Sequence, residues 1–311
     1  MILEHKHLIS LDEYSQKDIK TIIDTAFKFR EVLDRPIKKV PSLKGITIVN
    51  LFFENSTRTR ISFELAQKRL SADTVNFSAS SSSLKKGESF KDTAQNIEAM
   101  KIDAVVMRHP TPGAPKHLTN FIDSIIINAG DGTNEHPTQA ILDLMSLYEK
   151  FGKIKKLKVG IVGDIIHSRV ALSNIYGLKT MGAEVKVCGP PNLIPNYIYD
   201  LGVEYSNNLD EIIEWADALN VLRIQKERMG RSLVPSTREY RSFFGITADR
   251  IENHKREIVI MHPGPINRGV EIDSKVADSD QAIILDQVLN GVASRMAILF
   301  LLCGGKIKEG E

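Results

Sequence analysis

The chain is 311 residues long, enough for two domains of ordinary size. Its 42% hydrophobic and 26% charged residues give the balance of a folded globular protein and exclude a disordered one. Its 41 basic and 39 acidic residues leave a net charge of +2, too little for a broad nucleic-acid surface; anionic small molecules held by local clusters stay open.

Two cysteines, Cys188 and Cys303, form neither a Cys-x-x-Cys pair nor a disulfide framework, so no zinc knuckle is expected and a reducing cytoplasm fits best. The longest uninterrupted apolar run, Met296 to Cys303, is far short of a membrane span. The N-terminal stretch MILEHKHLISLDEYS has no apolar core of the signal-peptide kind. These features predict a cytoplasmic protein with no membrane partner.

Ser10 is a plausible cap for a helix that follows, with Leu11, Ile19, Ile22, Ile23, Ala26 and Phe27 at near-helical spacing. Lys44-Gly45 leads into ITIVNLFF, a short apolar run typical of a buried strand, and Ser56 can cap the helix TRTRISFELAQKRL. A strand near DTVNFS precedes the serine-rich stretch Ser78 to Ser83, read as a mobile loop; a helix from about Ser89 to Met100 and the strand DAVVMRH follow. The alternation restarts after a helix from about Thr138 to Phe151, with strands in LKVGIVGD, AEVKVCGP, ALNVLR and EIVIMHP. Strands alternating with helices predict an α/β fold of two domains, each a parallel sheet flanked by helices. The last apolar helix, about Asp286 to Cys303, lies beyond the second sheet and is expected to pack back on the first domain. The domains are placed at residues 1–137 with 287–311, and at 138–286.

The most informative motif is Phe53-Glu54-Asn55-Ser56-Thr57-Arg58-Thr59-Arg60, directly after a strand. A helix N-terminus offers unpaired N–H groups and the positive end of its dipole. Hydroxyls at Ser56, Thr57 and Thr59 add donors, and Arg58 adds a fork matched to phosphate oxygens. The plainer alternative is a serine cap followed by surface arginines. Arg108, in Met107-Arg108-His109-Pro110, stands at a strand end, where polar residues face a ligand crevice; alone it reads as a surface arginine. In Gly130-Asp131-Gly132-Thr133-Asn134-Glu135-His136-Pro137-Thr138-Gln139, a turn opens a helix and sets His136 and Gln139 three apart, able to share one face. His136 would donate to an oxyanion, or be a solvated histidine in a capping turn.

Gly160-Ile161-Val162-Gly163-Asp164 lacks the Gly-x-Gly-x-x-Gly spacing, so a strand-turn-helix is expected but no bound dinucleotide. Arg169 lies just inside the next helix. Arg223 and Gln225 alternate and face one side if their strand continues, and the two guanidiniums Arg169 and Arg223 would grip two carboxylates. The QKER run that includes Arg228 is otherwise a solvated face. His262-Pro263-Gly264-Pro265 fixes a rigid turn presenting carbonyls, with a cis bond left open. Lys85-Lys86-Gly87-Glu88-Ser89 is a lid over anionic ligands or a solvated basic loop.

Taken together and in this order, S-T-R-T-R, M-R-H-P, G-D-G-x-x-x-H-P-T-Q, R-x-Q-x-E-R and H-P-G-P resemble the carbamoyltransferase family, and more narrowly the aspartate carbamoyltransferase catalytic chains, over essentially the whole length. The resemblance implies a carbamoyl-phosphate site from Ser56, Thr57, Arg58, Thr59, Arg108, His136 and Gln139, and an aspartate site from Arg169, Arg223 and Gln225. Lys86, with a serine from Ser80 to Ser83, would reach in from a neighbouring subunit, and the backbone of Pro263 and Gly264 would touch the carbamoyl group. Glu54 with Arg169 and Arg228 resembles the family's domain-closing ion pairs. The implied reaction is attack of the L-aspartate amine on carbamoyl phosphate, giving N-carbamoyl-L-aspartate and phosphate for pyrimidine biosynthesis. The enzyme would supply orientation and fixed positive charge, with no metal or cofactor. Domain closure would exclude water. The implied assembly is a homotrimer with shared active sites; regulatory or dihydroorotase chains stay open as further partners. Three rival readings stand beside it: an ornithine or other amino-acid carbamoyltransferase, a non-catalytic assembly subunit, and a Rossmann oxidoreductase. Against the ornithine enzymes stands Pro263 where they carry a cysteine motif, together with the lack of their serine-methionine-glycine element.

Overall fold

A computed structural model describes residues 3–78, 89–225, 236–254 and 257–304. The chain divides into two compact units, residues 1–145 with 289–311, and residues 146–288.

In the first unit, α1 (Gln16–Asp34) leads to β1 (Thr47–Phe52), α2 (Thr57–Arg69), β2 (Asp73–Ser78), α3 (Phe90–Ala99), β3 (Ala104–His109), α4 (Ala114–Leu118), β4 (Ile125–Asp131) and α5 (Pro137–Phe151), whose later residues belong to the second unit. The cap of α1 is Ser15, not Ser10. Ser15 accepts from the Asp18 N–H at 3.2 Å while Asp18 takes the Ser15 N–H at 3.2 Å, a reciprocal capping box. Ser10 instead accepts from the Asp12 N–H in a tight turn. The helix buries Ile19, Ile22, Ile23, Ala26, Phe29, Val32 and Leu33, the stripe expected of an amphipathic helix.

The four strands described in this unit are all parallel, in the order β2-β1-β3-β4. Those that read as unbroken apolar runs are buried along their length, as a sheet covered on both faces requires. Strand β4, from IIINAGD, was not among the expected elements; it carries three isoleucines in a row, the β-branched signal for a buried strand. Leu51, Val105, Met107 and Ile126 pack with Ala94, Leu118 and Ile122 into one core.

The second unit runs β5 (Lys158–Val162), α6 (Arg169–Thr180), β6 (Glu184–Cys188), β7 (Glu204–Ser206), α7 (Leu209–Trp215), β8 (Ala218–Val221), α8 (Thr237–Phe244), α9 (Ala248–Glu252), β9 (Val259–Met261), α10 (Ser274–Ala277) and the start of α11 (Ile284–Cys303). Its parallel sheet is ordered β7-β6-β5-β8-β9. A Cβ on Gly160 would meet Ile212 at 2.7 Å and Leu219 at 2.8 Å, so this glycine is set by how closely α7 and β8 approach β5. Gly163 follows the strand at φ +133 in the turn before α6, where a side chain would strike the Leu222 carbonyl at 2.8 Å. The failed dinucleotide fingerprint is therefore a packing and turn device.

Helix α11 is long and apolar enough to cross a membrane by length and composition, yet most of it is buried. Residues from Leu289 onward belong to the first unit. There Arg295 donates to Ser62 at 3.1 Å and lies 5.0 Å from the centre of the Phe63 ring, and Phe300 meets Phe29 edge-on. Burial lowers the Arg295 guanidinium to about 10, partly offset by Asp143, which leaves it charged at neutral pH.

Neither Cys188 nor Cys303 is in a disulfide, and both are fully buried. Burial pushes the Cys188 thiol up to about 12. At pH 8 only about one molecule in ten thousand would then carry the thiolate. A thiol reagent is expected to leave Cys188 unmodified in native protein while labelling it rapidly in denaturant; rapid native labelling would show that the end of β6 opens.

Candidate active site

In the first sheet the chain moves outward from β1 to β2, then crosses back to β3 on the other side, so the strand order reverses between β1 and β3. Right-handed crossovers send the connections at such a point to opposite faces, which opens a crevice at the carboxyl ends of the strands. The predicted anion-binding residues converge there. Phe52 at the end of β1 is the register partner of Arg108 at the end of β3, and His109 is that of Asp131 at the end of β4. Ser56 is the N-cap of α2 in an extended conformation, but its side chain makes no capping hydrogen bond, unlike Ser15, Ser89 and Ser168 on other helices. The expected cap therefore holds for the backbone and not for the hydroxyl. Thr57 and Arg58 occupy the exposed first turn of α2, and Thr59 is buried against the sheet.

Arg108 is 8% exposed, not the surface arginine of its plainer reading. It donates from Nη1 to the Ala129 carbonyl at 3.1 Å and from Nη2 to Glu54 Oε1 at 3.1 Å. The guanidinium is thus fixed across the ends of β1, β3 and β4. Desolvation makes its fixed charge stronger than it would be in water. Glu54, expected in ion pairs with Arg169 and Arg228, holds Arg108; Arg228 lies outside the described residues.

His136 is 4% exposed, which rules out the solvated reading. It immediately precedes α5, and its carbonyl accepts from the Gln139 N–H at 2.9 Å. Gln139 donates its amide to Asp143 Oδ1 at 3.0 Å, one turn on. Behind them Asp131, fully buried, organises the loop. Its Oδ1 accepts from Asn128 Nδ2 at 2.9 Å and the Glu135 N–H at 3.1 Å. Its Oδ2 accepts from the Gly113 N–H at 2.7 Å and Asn134 Nδ2 at 3.0 Å. Burial lowers the neighbouring His109, whose Nδ1 accepts from the Thr111 N–H, so this ring stays neutral among Phe53 and Phe90.

In the second sheet the order reverses between β5 and β8. Arg169 is the first residue of α6 and 4% exposed, while Arg223 and Gln225 follow β8. The strand does not continue to them; it ends at Val221. Alternation persists all the same, since Leu222 and Ile224 are buried and Arg223 and Gln225 partly exposed, so the two polar residues share the outward side. Asp164, fully buried, ties the two loops together. Its Oδ1 accepts from His167 Nδ1 at 2.8 Å and its Oδ2 from the Gln225 N–H at 3.2 Å. Pro263 and Gly264 follow β9, the register neighbour of β8, and the Gly264–Pro265 bond is cis. Lys86, the serines Ser80 to Ser83 and Arg228 fall outside the described residues.

Two geometric sets thus stand at two topological switch points. One brings together a helix start, a buried guanidinium and a buried histidine; the other is a pair of arginines and a carbonyl-bearing turn at neighbouring strand ends. Residues 6–149 match the aspartate/ornithine carbamoyltransferase carbamoyl-P binding domain, and residues 155–302 the Asp/Orn binding domain of the same family. The chain belongs to the aspartate/ornithine carbamoyltransferase family. It is 62% identical over 303 residues to the aspartate carbamoyltransferase catalytic subunit of Christiangramia forsetii, covering 97% of each. The structure superposes with a TM-score of 0.85 on the aspartate transcarbamoylase of Trypanosoma cruzi bound to carbamoyl aspartate and phosphate, at 30% identity and 95% of each chain. It also matches the ornithine carbamoyltransferase of Pyrococcus furiosus, with a TM-score of 0.86, 28% identity and coverage of 98% and 99%.

Sequence reasoning missed Asp131, Asp164 and Asp143 as buried supports of these loops. Asp143 had a local signal, since Gln139 and Asp143 are four apart on a helix. Asp164 had only its place after Gly163, and nothing local marked Asp131 as an acceptor for four donors.

Removing Asp131 should show that the loop depends on it. Asp131→Ala leaves those four donors without their acceptor and is expected to lower unfolding free energy by about 3 kcal/mol in urea titration. A loss below about 0.5 kcal/mol would mean that the loop holds itself.

Proposed function

We infer that the chain transfers the carbamoyl group of carbamoyl phosphate to the amine of L-aspartate, forming N-carbamoyl-L-aspartate and phosphate. One observation carries the choice of acceptor: two guanidiniums, Arg169 and Arg223, stand beside the switch point of the second sheet, their loops pinned by Asp164. Two guanidiniums suit two carboxylates, which aspartate has and ornithine lacks. The fold alone does not choose, since the ornithine enzyme of P. furiosus superposes as well as the aspartate enzyme of T. cruzi. The 62% identity to an aspartate enzyme and the Pro263 turn do.

In this reading the neutral aspartate amine attacks the carbamoyl carbon and forms a C–N bond through a tetrahedral intermediate. Arg108, His136 and Thr59 stabilise the oxyanion. The carbonyls of Pro263 and Gly264 accept from the carbamoyl NH2. Arg58, Ser56, Thr57 and the start of α2 hold the phosphate as the C–O bond breaks, and the departing phosphate takes the amine proton. Gln139 positions the carbamoyl group from the first turn of α5. The place in pyrimidine synthesis follows from the product. Cytoplasmic residence is supported by two buried thiols that form no disulfide.

Phosphate release should depend on aspartate and not on ornithine. Arg169→Ala or Arg223→Ala should weaken aspartate by about 2 kcal/mol or more while carbamoyl phosphate binding changes little. Equal loss for both ligands, measured by titration, would show these arginines misassigned.

We further propose a homotrimer in which each subunit lends Lys86 to the next, a closed heterologous ring. Lys86→Ala and His136→Ala would each be inactive, yet mixed, dissociated and reassembled they would restore about one site in four. Confirmed hybrids without activity would place Lys86 in its own subunit's site or in none.

A further inference from the structure

The turn after β9 has an unusual polar composition. Pro263 and Pro265 carry no N–H, so across Pro263-Gly264-Pro265 the Gly264 amide is the single backbone donor. That donor is taken. His262, 2% exposed, accepts the Gly264 N–H on Nδ1 at 2.8 Å. Gly264 sits at φ +65, in the left-handed region, which lets its N–H turn back to the ring two residues earlier. What remains of the turn is carbonyl oxygen alone, a surface that suits an NH2 donor and offers nothing to an acceptor.

The backbone of this residue is held as well: the His262 main-chain N–H donates to Gln287 Oε1 at 3.0 Å. A ring nitrogen that accepts carries no proton, so the neutral ring bears its proton on Nε2. Nε2 faces Glu271 Oε1 at 3.4 Å, longer than a well-formed hydrogen bond, with both side chains fully buried. The same Glu271 oxygen accepts from the Asn267 N–H at 2.5 Å, which holds the carboxylate in place. Glu271 thereby favours the tautomer that leaves Nδ1 free to accept.

We propose that His262 is a positioning residue for carbamoyl transfer: by taking the one N–H of the Pro263–Pro265 turn, it leaves an all-acceptor edge and fixes its aim at the carbamoyl NH2. The inference rests on the reading that the Pro263 and Gly264 carbonyls meet that group.

Three variants separate the roles of the ring. In His262→Asn the side-chain oxygen falls close to the position of Nδ1 and can accept an N–H two residues on. In His262→Gln the amide reaches toward the position of Nε2, and His262→Ala has neither. The Gln and Ala variants are expected to lose about a hundredfold in kcat, the scale of a site misplaced by about an ångström, with far smaller changes in KM for aspartate. Asn should recover most of the loss. A purely structural role would make activity follow melting temperature instead of acceptor position. The proposal is overturned if Gln recovers as well as Asn, if Asn is no better than Ala, or if all three keep full kcat. A second measurement uses the wild-type chain: nitrogen NMR of 15N-histidine protein, with His262 assigned from the signal missing in His262→Asn. It should show Nδ1 unprotonated and Nε2 protonated at neutral pH; the reverse tautomer or an imidazolium overturns the proposal. Aspartate-dependent phosphate release by the wild-type chain is read first, and its absence would sink the functional reading itself, separately from the role of His262.

Discussion

The reversal of strand order inside each parallel sheet is the constraint on which the site depends. Between β1 and β3, and again between β5 and β8, the connecting segments part to opposite faces, and the strand ends are left uncovered. Every described residue assigned to substrate lies at or after the carboxyl end of one of these strands or their neighbours β4 and β9. Parallel pairing aligns all the carboxyl ends on one edge, so helix starts and loop side chains collect there without any special instruction beyond the crossover rule.

Opening such a crevice has a cost, because loops at strand ends carry backbone N–H groups with no sheet partner. The chain meets it with buried carboxylates. Asp131 satisfies donors from Gly113, Asn128, Asn134 and Glu135, and Asp164 satisfies His167 and Gln225. Glu271 does the same for Asn267 while facing His262. Asp131 and Asp164 each bind donors from separate segments, so burying one charge fixes several stretches of chain together. This is pre-organisation in the sense that matters for transfer between two bound substrates: the groups are in place before the reaction needs them.

Sharing a fold leaves chemistry and specificity in different hands. In the proposed reading the anion set at β1, β3 and β4 serves carbamoyl phosphate, the substrate named in the family's first domain. In the same reading the second sheet would choose the amine through a few side chains, Arg169, Arg223 and Gln225, and through the turn at Pro263. A superposition near 0.85 with both aspartate and ornithine enzymes is what such a division produces.

Apolar runs such as Ala104–Met107 and Val159–Val162 told of buried parallel strands, and the residues just past them were legible as a site because strand ends are where ligands bind. Local chemistry also announced the start of α2 and the rigid His262–Pro265 turn. Other features were decided only by the tertiary structure. Ser15 displaced Ser10 as a cap through the position of Asp18, and IIINAGD proved to be a strand paired with β3. Arg108 and His136 looked like surface residues by type and are buried. Glu54 became the partner of Arg108 across fifty-four residues of chain. The sequence by itself determined which segments are apolar enough to be strands and where the polar residues fall after them, because burial period and turn chemistry are local properties. Which carboxylate meets which donor depends on segments far apart in the chain arriving at one point, and only the packed sheets bring them there.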